Sequence, residues 1–266
     1  MSSNSKFGFL PKLQHPGLFI TATDTEVGKT AITCAIALNL RKAGLQPSVC
    51  KPYATGCRRD REGLVSEDAE ALAHFADCRQ ALDIINPIRY APPLAPAVAA
   101  ELTGRAPDLD ALTRSLRQLD EHGDAMLIEG IGGLLTPLDA EDSSCTVLDL
   151  ASAIGFPVVI VTRAGLGTLN HTAMTVRLLK QAGCKVAGIV INGFVPDMPI
   201  EPDDDPQDPA MATNRLWLSR MTRVPILATV PRCKPDEVAV HKGILADAIV
   251  ETVEATYWAD VIRQAS

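Results

Sequence analysis

Residues 22–30 read "ATDTEVGKT" and follow directly on the apolar run "GLFIT". A turn that holds a nucleoside triphosphate needs backbone N–H groups converging on phosphate oxygens, a helix start behind them, a lysine for the outer phosphates and a hydroxyl for Mg²⁺. Gly28, Lys29 and Thr30 end the stretch with those parts, and "AITCAIALNLRKAG" continues it as a helix. The usual spacing asks for glycine at position 23, where Thr23 stands; one residue further back stands Ala22. The stretch ends as a phosphate loop without beginning as one, so an ordinary strand-to-helix turn stays open beside it.

Four further clusters carry chemistry of the same kind. In "LIEGIGG" the carboxylate of Glu129 ends an apolar run beside glycines, where it can face a metal on a triphosphate or stand as a solvated strand-end charge. In "SEDAEAL" Asp68 sits in the first turn of a helix, as a second metal ligand or as a charge favoured by the helix dipole. One hydroxyl, one Asp and one Glu suit Mg²⁺, which prefers few carboxylates together with phosphate oxygens and water. Lys51, in "KPYATG", offers a second cation where charge builds up in a transferring phosphoryl group, or is a plain surface lysine. "GLGTLNHT" (165–172) opens a helix whose free N–H groups suit a carboxylate, or is a glycine-rich turn; His171 has no carboxylate near it in sequence to make it a base.

These residues need a frame that gathers them, and the chain alternates apolar strands with helical stretches. "LFITA", "PSVCKP", "AMLIE", "PVVIVT", "VAGIVIN" and "PILATV" read as buried strands; residues 29–44, 67–77, 109–123, 168–183 and 212–221 read as helices. Near-continuous apolar strands separated by helices predict a mostly parallel sheet covered on both faces, a three-layer α/β fold with its ligand site at the carboxyl ends of the strands. Residues 86–104, "NPIRYAPPLAPAVAAELTG", read as a surface loop. Residues 195–211 hold five Asp, one Glu and five Pro and read as a solvated loop. The expected division is a flexible lead over 1–16, the main domain over 17–232 and a helical appendage over 233–266.

Composition narrows the function classes. A net charge of -7 gives no general electrostatic reason to hold nucleic acid or an anionic membrane. Seven scattered cysteines without a CxxC pair argue against a disulfide framework or a zinc site and predict a reducing cytoplasm. With no basic start leading into an apolar core and no long apolar run, neither a signal peptide nor a membrane span is expected. Small molecules are the expected partners.

The ordered set "TDTEVGKT", "KPYATG", "SEDAEAL", "IEGIGGLLTPL", "GLGTLNHT", "GIVIN" and "TVP" resembles dethiobiotin synthetase, over roughly residues 17–232. The resemblance implies a P-loop NTPase-like fold whose phosphate loop is one residue longer than usual, which puts the departure from the family's glycine at Ala22. It implies ATP and Mg²⁺, with 7,8-diaminopelargonate and CO₂ as substrates of a ring-closing ligation. Carried over residue by residue, Glu26, Val27, Gly28, Lys29, Thr30 and Ala31 would hold the nucleotide, with Asn192 and Pro231 at the adenine. Thr30, Asp68 and Glu129 would hold Mg²⁺. Lys29 and Lys51 would act on the carbamate and phosphoryl oxygens, Thr25 and Thr55 on the substrate's reacting end. Gly167, Thr168 and Asn170 of a partner subunit would meet the substrate's distant carboxylate across a homodimer interface, with "YAPPLAP" lining the channel between.

Two relatives of this core imply other functions. Nucleotide switches of the ParA and MinD partitioning type carry an additional lysine near the loop start, which is absent between Phe19 and Val27. Amide-forming enzymes of the cobyrinic-acid type append a glutamine-hydrolysing domain, for which the residues after Pro231 leave no room.

Overall fold

Strand β1 (Gly17–Ala22) is buried along its whole length, as its unbroken apolar run predicts, and leads through the "TDTEVG" turn into α1 (Lys29–Lys42). The structure, a computed structural model, describes residues 6–61, 63–195 and 210–265. After β2 (Pro47–Cys50) come the short strand β3 (Tyr53–Ala54) and a hairpin of β4 (Arg58–Asp60) and β5 (Gly63–Val65). Helices α2 (Glu67–Ala76) and α3 (Leu82–Ile85) follow, then β6 (Ile88–Arg89), α4 (Pro96–Thr103), α5 (Leu109–Asp120) and β7 (Ala125–Glu129). The second half runs α6 (Val147–Ile154), β8 (Val158–Arg163), α7 (Thr168–Gln181), β9 (Val186–Phe194), α8 (Ala210–Thr222) and β10 (Ile226–Pro231). It closes with α9 (Asp247–Glu254) and α10 (Trp258–Ala265).

The main sheet has six strands in the order β10-β9-β8-β1-β7-β2, every neighbouring pair parallel. Helices flank it, and the predicted α/β architecture with a mostly parallel sheet is the observed one. Strand β1 lies at the centre, with β7 on one side and β8 on the other, so the turn leaving β1 sits where the strand order switches direction. Register fixes the neighbours of that turn: Ile20 pairs with Glu129, Ala22 with Val161, and Cys50 with Ile128.

Helix starts divide by role. Ser66 caps α2 by accepting from Ala69 N, Asp108 caps α5 by accepting from Ala111 N, and Thr146 with Asp149 forms a capping box on α6. By contrast, α1 and α7 each begin at a left-handed glycine, Gly28 and Gly167, with no side-chain cap. At the carboxyl edge of the sheet, N–H groups of these helix starts can face a ligand, apart from that of Thr168, which donates to Gly165 O at 3.3 Å.

The structure differs from the sequence reading over residues 86–104. The stretch taken as a surface loop contains β6, which pairs with β3, and α4. Pro96 suits the first turn of that helix, Gly104 closes it in the left-handed conformation, and Ala97, Ala99 and Ala100 are buried, so the alanines pack a helix. Helices α3 and α6 are likewise additions to the sequence reading.

The chain before β1 is held from Lys6 onward. Phe7 is 1% exposed and belongs to the main core, Lys6 pairs with Asp139, and the Gln14 and His15 backbone amides donate to the Asp120 carboxylate at 2.7 and 3.0 Å. At the other end, α9 packs on α1 and β10, and Ile249, Val253, Trp258 and Ile262 join the same core. Residues 196–209, most of the acidic stretch, lie outside the described residues.

Candidate active site

Lys51 is the first residue beyond β2 and is only 2% exposed. Its backbone is fixed on both sides: its N–H donates to Ile85 O at 2.8 Å, and Asn86 Nδ2 donates to its carbonyl at 2.6 Å. Its ammonium reaches Glu129 Oε1 at 2.6 Å, Asp68 Oδ2 at 2.8 Å and the Gly130 carbonyl at 3.3 Å. Burial works against the Lys51 charge, and the two carboxylates outweigh it, holding its pKa above the ordinary lysine value. A plain surface lysine is excluded by this burial.

Glu129, at the end of β7, is fully buried, whereas the Asp68 side chain is 44% exposed to the cleft. The Thr30 hydroxyl, in the first turn of α1, lies 3.1 Å from Asp68 Oδ1 and 2.9 Å from Glu129 Oε1. Thr30, Lys51, Asp68 and Glu129 therefore converge from four separate elements on one point beside the start of α1. The Asp68 carboxyl is held below its ordinary pKa, first by the Lys51 charge. Glu129 Oε2 is buried without a hydrogen-bond partner, an uncompensated acceptor that would cost free energy unless a cation or donor meets it. Lys29 is also buried, and burial followed by repulsion from Lys51 lowers its pKa to about 8.

The loop itself carries its conformational demands at Glu26 (φ 59) and Gly28 (φ 86); Ala22 is extended strand, where one methyl group costs nothing in backbone strain. Val27 and Ala31 are buried on either side of Gly28, while Thr25 and Glu26 are exposed. Asn192, near the end of β9, donates from Nδ2 to Val27 O at 2.9 Å, so its amide holds the loop backbone. Pro231 ends β10 opposite Phe194. Thr55 is half-buried beside Gly56 in the turn after β3.

Gly167 and Asn170 are exposed at the start of α7, whereas the Thr168 side chain is fully buried. Its hydroxyl lies 2.7 Å from Thr162 Oγ1, which in turn lies 3.1 Å from Thr23 Oγ1 at the loop entrance. A second tie is the ion pair of Asp24 with Arg163, at 2.8 Å. Tyr90, from "YAPPLAP", is core: its hydroxyl donates to Arg105 O at 3.0 Å, and Leu94 is the exposed apolar residue of that stretch. The sequence reading passed over Asn86, Gly130, Arg163 and Thr162. Only the Asn86-Pro87 pair gave a local sign, as a polar residue at a helix end before proline.

A family model described as an AAA domain matches residues 16–236. The ATP-dependent dethiobiotin synthetase BioD of Anaeromyxobacter sp. strain K is 43% identical over 215 residues, covering 81% of this chain and 89% of that protein. The enzyme of the same name from Thermodesulfovibrio yellowstonii is 36% identical over 219 residues, covering 81% and 88%. Among solved structures, the septum site-determining protein MinD of Pyrococcus horikoshii, in complex with Mg-ADP, has a TM-score of 0.53 at 18% identity and covers 93% of this chain and 98% of that one. The MinC:MinD complex of Aquifex aeolicus gives 0.52 at 12% identity, over 90% and 95%. At such identities the two structures speak for the fold alone. The two sequence relatives go further: the chain belongs to the ATP-dependent dethiobiotin synthetase family, an ATP-dependent ligase of biotin biosynthesis.

Proposed function

We propose that the chain closes 7,8-diaminopelargonate and CO₂ into the cyclic urea of dethiobiotin at the expense of ATP. One amine of the substrate takes up CO₂ as a carbamate with loss of a proton. A carbamate oxygen attacks the γ-phosphorus of ATP, the bond to the bridging oxygen breaks and ADP leaves. The second amine attacks the carbonyl carbon of the resulting mixed anhydride, and phosphate departs with its oxygen as the ring closes. No enzyme nucleophile is needed, so positioned charge is the whole of the protein's contribution.

The observation that carries the reading is the buried cluster of Lys51, Glu129, Asp68 and Thr30 beside the uncapped start of α1. Lys29 and Lys51 would neutralise carbamate and phosphoryl oxygens, and the loop from Glu26 to Ala31 would cradle the phosphates. Asn192 and Pro231 would lie at the adenine, Thr25 and Thr55 at the substrate's reacting end. The oxygen set Thr30, Asp68 and Glu129 suits Mg²⁺, and the orphaned Glu129 Oε2 supports that fit. Once bound, Mg²⁺ would neutralise charge on the ATP phosphates.

Gly167, Thr168 and Asn170 would take the substrate's carboxylate across a homodimer interface. With the Thr168 side chain buried and its N–H donated to Gly165 O, that contact would come from the other backbone N–H groups of the helix start. Among the described residues no helix is long and apolar enough to cross a membrane. Seven cysteines without a disulfide suit a reducing cytoplasm.

The test is phosphate release from the chain incubated with diaminopelargonate, bicarbonate, Mg²⁺ and ATP. Release is expected only when all four are present; turnover independent of the diamine would refute the assignment. Sedimentation is expected to give a dimer, and a fully active monomer would rule out the shared site.

A further inference from the structure

The hydroxyls of Thr23, Thr162, Thr168 and Thr172 form a connected group between the phosphate loop and α7. Thr162 is its centre: its Oγ1 lies 3.1 Å from Thr23, 2.7 Å from Thr168 and 2.8 Å from Thr172, and Thr168 and Thr172 are 3.3 Å apart. Thr162, Thr168 and Thr172 are fully buried. A threonine hydroxyl has one proton to give and two lone pairs to accept with, and three neighbours saturate it.

That saturation makes the group directional. If Thr162 donates to Thr23, it must accept from both hydroxyls of α7; if Thr23 donates to Thr162, the Thr162 proton turns to α7. Two polarities are thus available to one set of side chains, and hydrogen bonds in such a chain polarise one another. Thr23 leaves β1 directly into the phosphate loop, and Thr168 is the first residue of α7. The Asp24 to Arg163 ion pair joins the same loop to the end of β8, the strand that carries Thr162.

We propose that Thr162 is a positioning residue that registers the phosphate loop against the start of α7 and so couples occupancy of the one to occupancy of the other. This rests on the reading that the start of α7 takes the substrate's carboxylate. In a dimer that helix start serves the partner's site, while the loop serves its own. Nucleotide in one site therefore changes the affinity of the other for the diamine acid. Thr162 touches neither ligand; it acts through Thr23 and Thr168.

The experiment measures diaminopelargonate binding by calorimetry, with and without a non-hydrolysable ATP analogue and Mg²⁺. The two dissociation constants of the natural chain should differ about fivefold or more, the usual range for coupled sites. T162V keeps the shape and removes the hydroxyl, and should bring the ratio close to one; T162S should restore it. T23V cuts the chain at a half-buried residue and should abolish the coupling without disturbing the buried centre, which keeps the test open if T162V folds poorly. A hydroxyl that only stabilised the fold would lower Tm and leave the ratio unchanged. Coupling retained in both valine variants, or a natural ratio below about twofold, overturns the proposal. If the natural chain binds the nucleotide and never the diamine, the reading of the substrate fails instead, and the proposal with it.

Discussion

A lysine and a glutamate buried side by side are expensive to desolvate, and only their mutual attraction and extra hydrogen bonds offset the cost. Lys51 and Glu129 meet that condition through Asp68, Thr30 and Gly130. Removing one member leaves the other buried without its counter-charge. Lys51→Met is therefore expected to lower stability by roughly 3–5 kcal/mol and to abolish turnover, measured by denaturant unfolding and phosphate release. Wild-type stability in this variant would refute the expected penalty for parting the buried pair. Lys29 gives a pH dependence. Its pKa of about 8 in the free chain means that the ammonium, the form proposed to meet phosphate, is present below that pH and lost above it. Since kcat/KM follows the free enzyme, the value for ATP should fall about tenfold per pH unit above 8. In Lys29→Arg that limb should flatten, because a guanidinium stays protonated.

At the scale of elements, the proposed phosphate turn depends on α1 starting on a left-handed glycine. Gly28→Ala would strain that φ of 86, and the added Cβ would fall 2.1 Å from Asn192 Nδ2, displacing the amide that holds Val27. A left-handed alanine costs about 1–2 kcal/mol, so the KM for ATP should rise roughly tenfold or more in steady-state kinetics. Ala22→Gly is the contrasting case. Position 22 is extended strand, so restoring the family's glycine should leave turnover unchanged and at most alter ATP affinity. The same logic explains the misread stretch 86–104. Its prolines suggested a loop, but only Pro96 falls within α4, at the start, where a missing N–H is harmless.

At the scale of the molecule, residues beyond the family match at both ends pack on the common core. Phe7 lies outside residues 16–236, yet it is buried with the core of the ligase fold. Phe7→Ala should cost about 3–5 kcal/mol as a cavity, visible as a lowered Tm. Its kcat and KM at moderate temperature should stay close to wild type, because the proposed active site stands at the carboxyl edge of the sheet. A loss of activity without a loss of stability would place Phe7 in the site's own support.

The sequence by itself determined the alternation of strands and helices, the phosphate turn and the identity of the charged residues at strand ends and helix starts. Those follow from short-range physics: apolar periodicity, the freedom of glycine and the few residue types that can meet a triphosphate. Only the tertiary structure decided how they meet. Lys51 and Glu129 are 78 residues apart, and Thr23 and Thr162 are 139 apart. No local pattern shows that the one pair shares a buried charge and the other a hydroxyl chain. The first depends on β2 lying beside β7 and the second on β1 lying beside β8, an order set by how six strands bury both faces at once. The same order brings the end of β9 within reach of the loop, so that the Asn192 amide donates to Val27 O, a contact no local pattern shows.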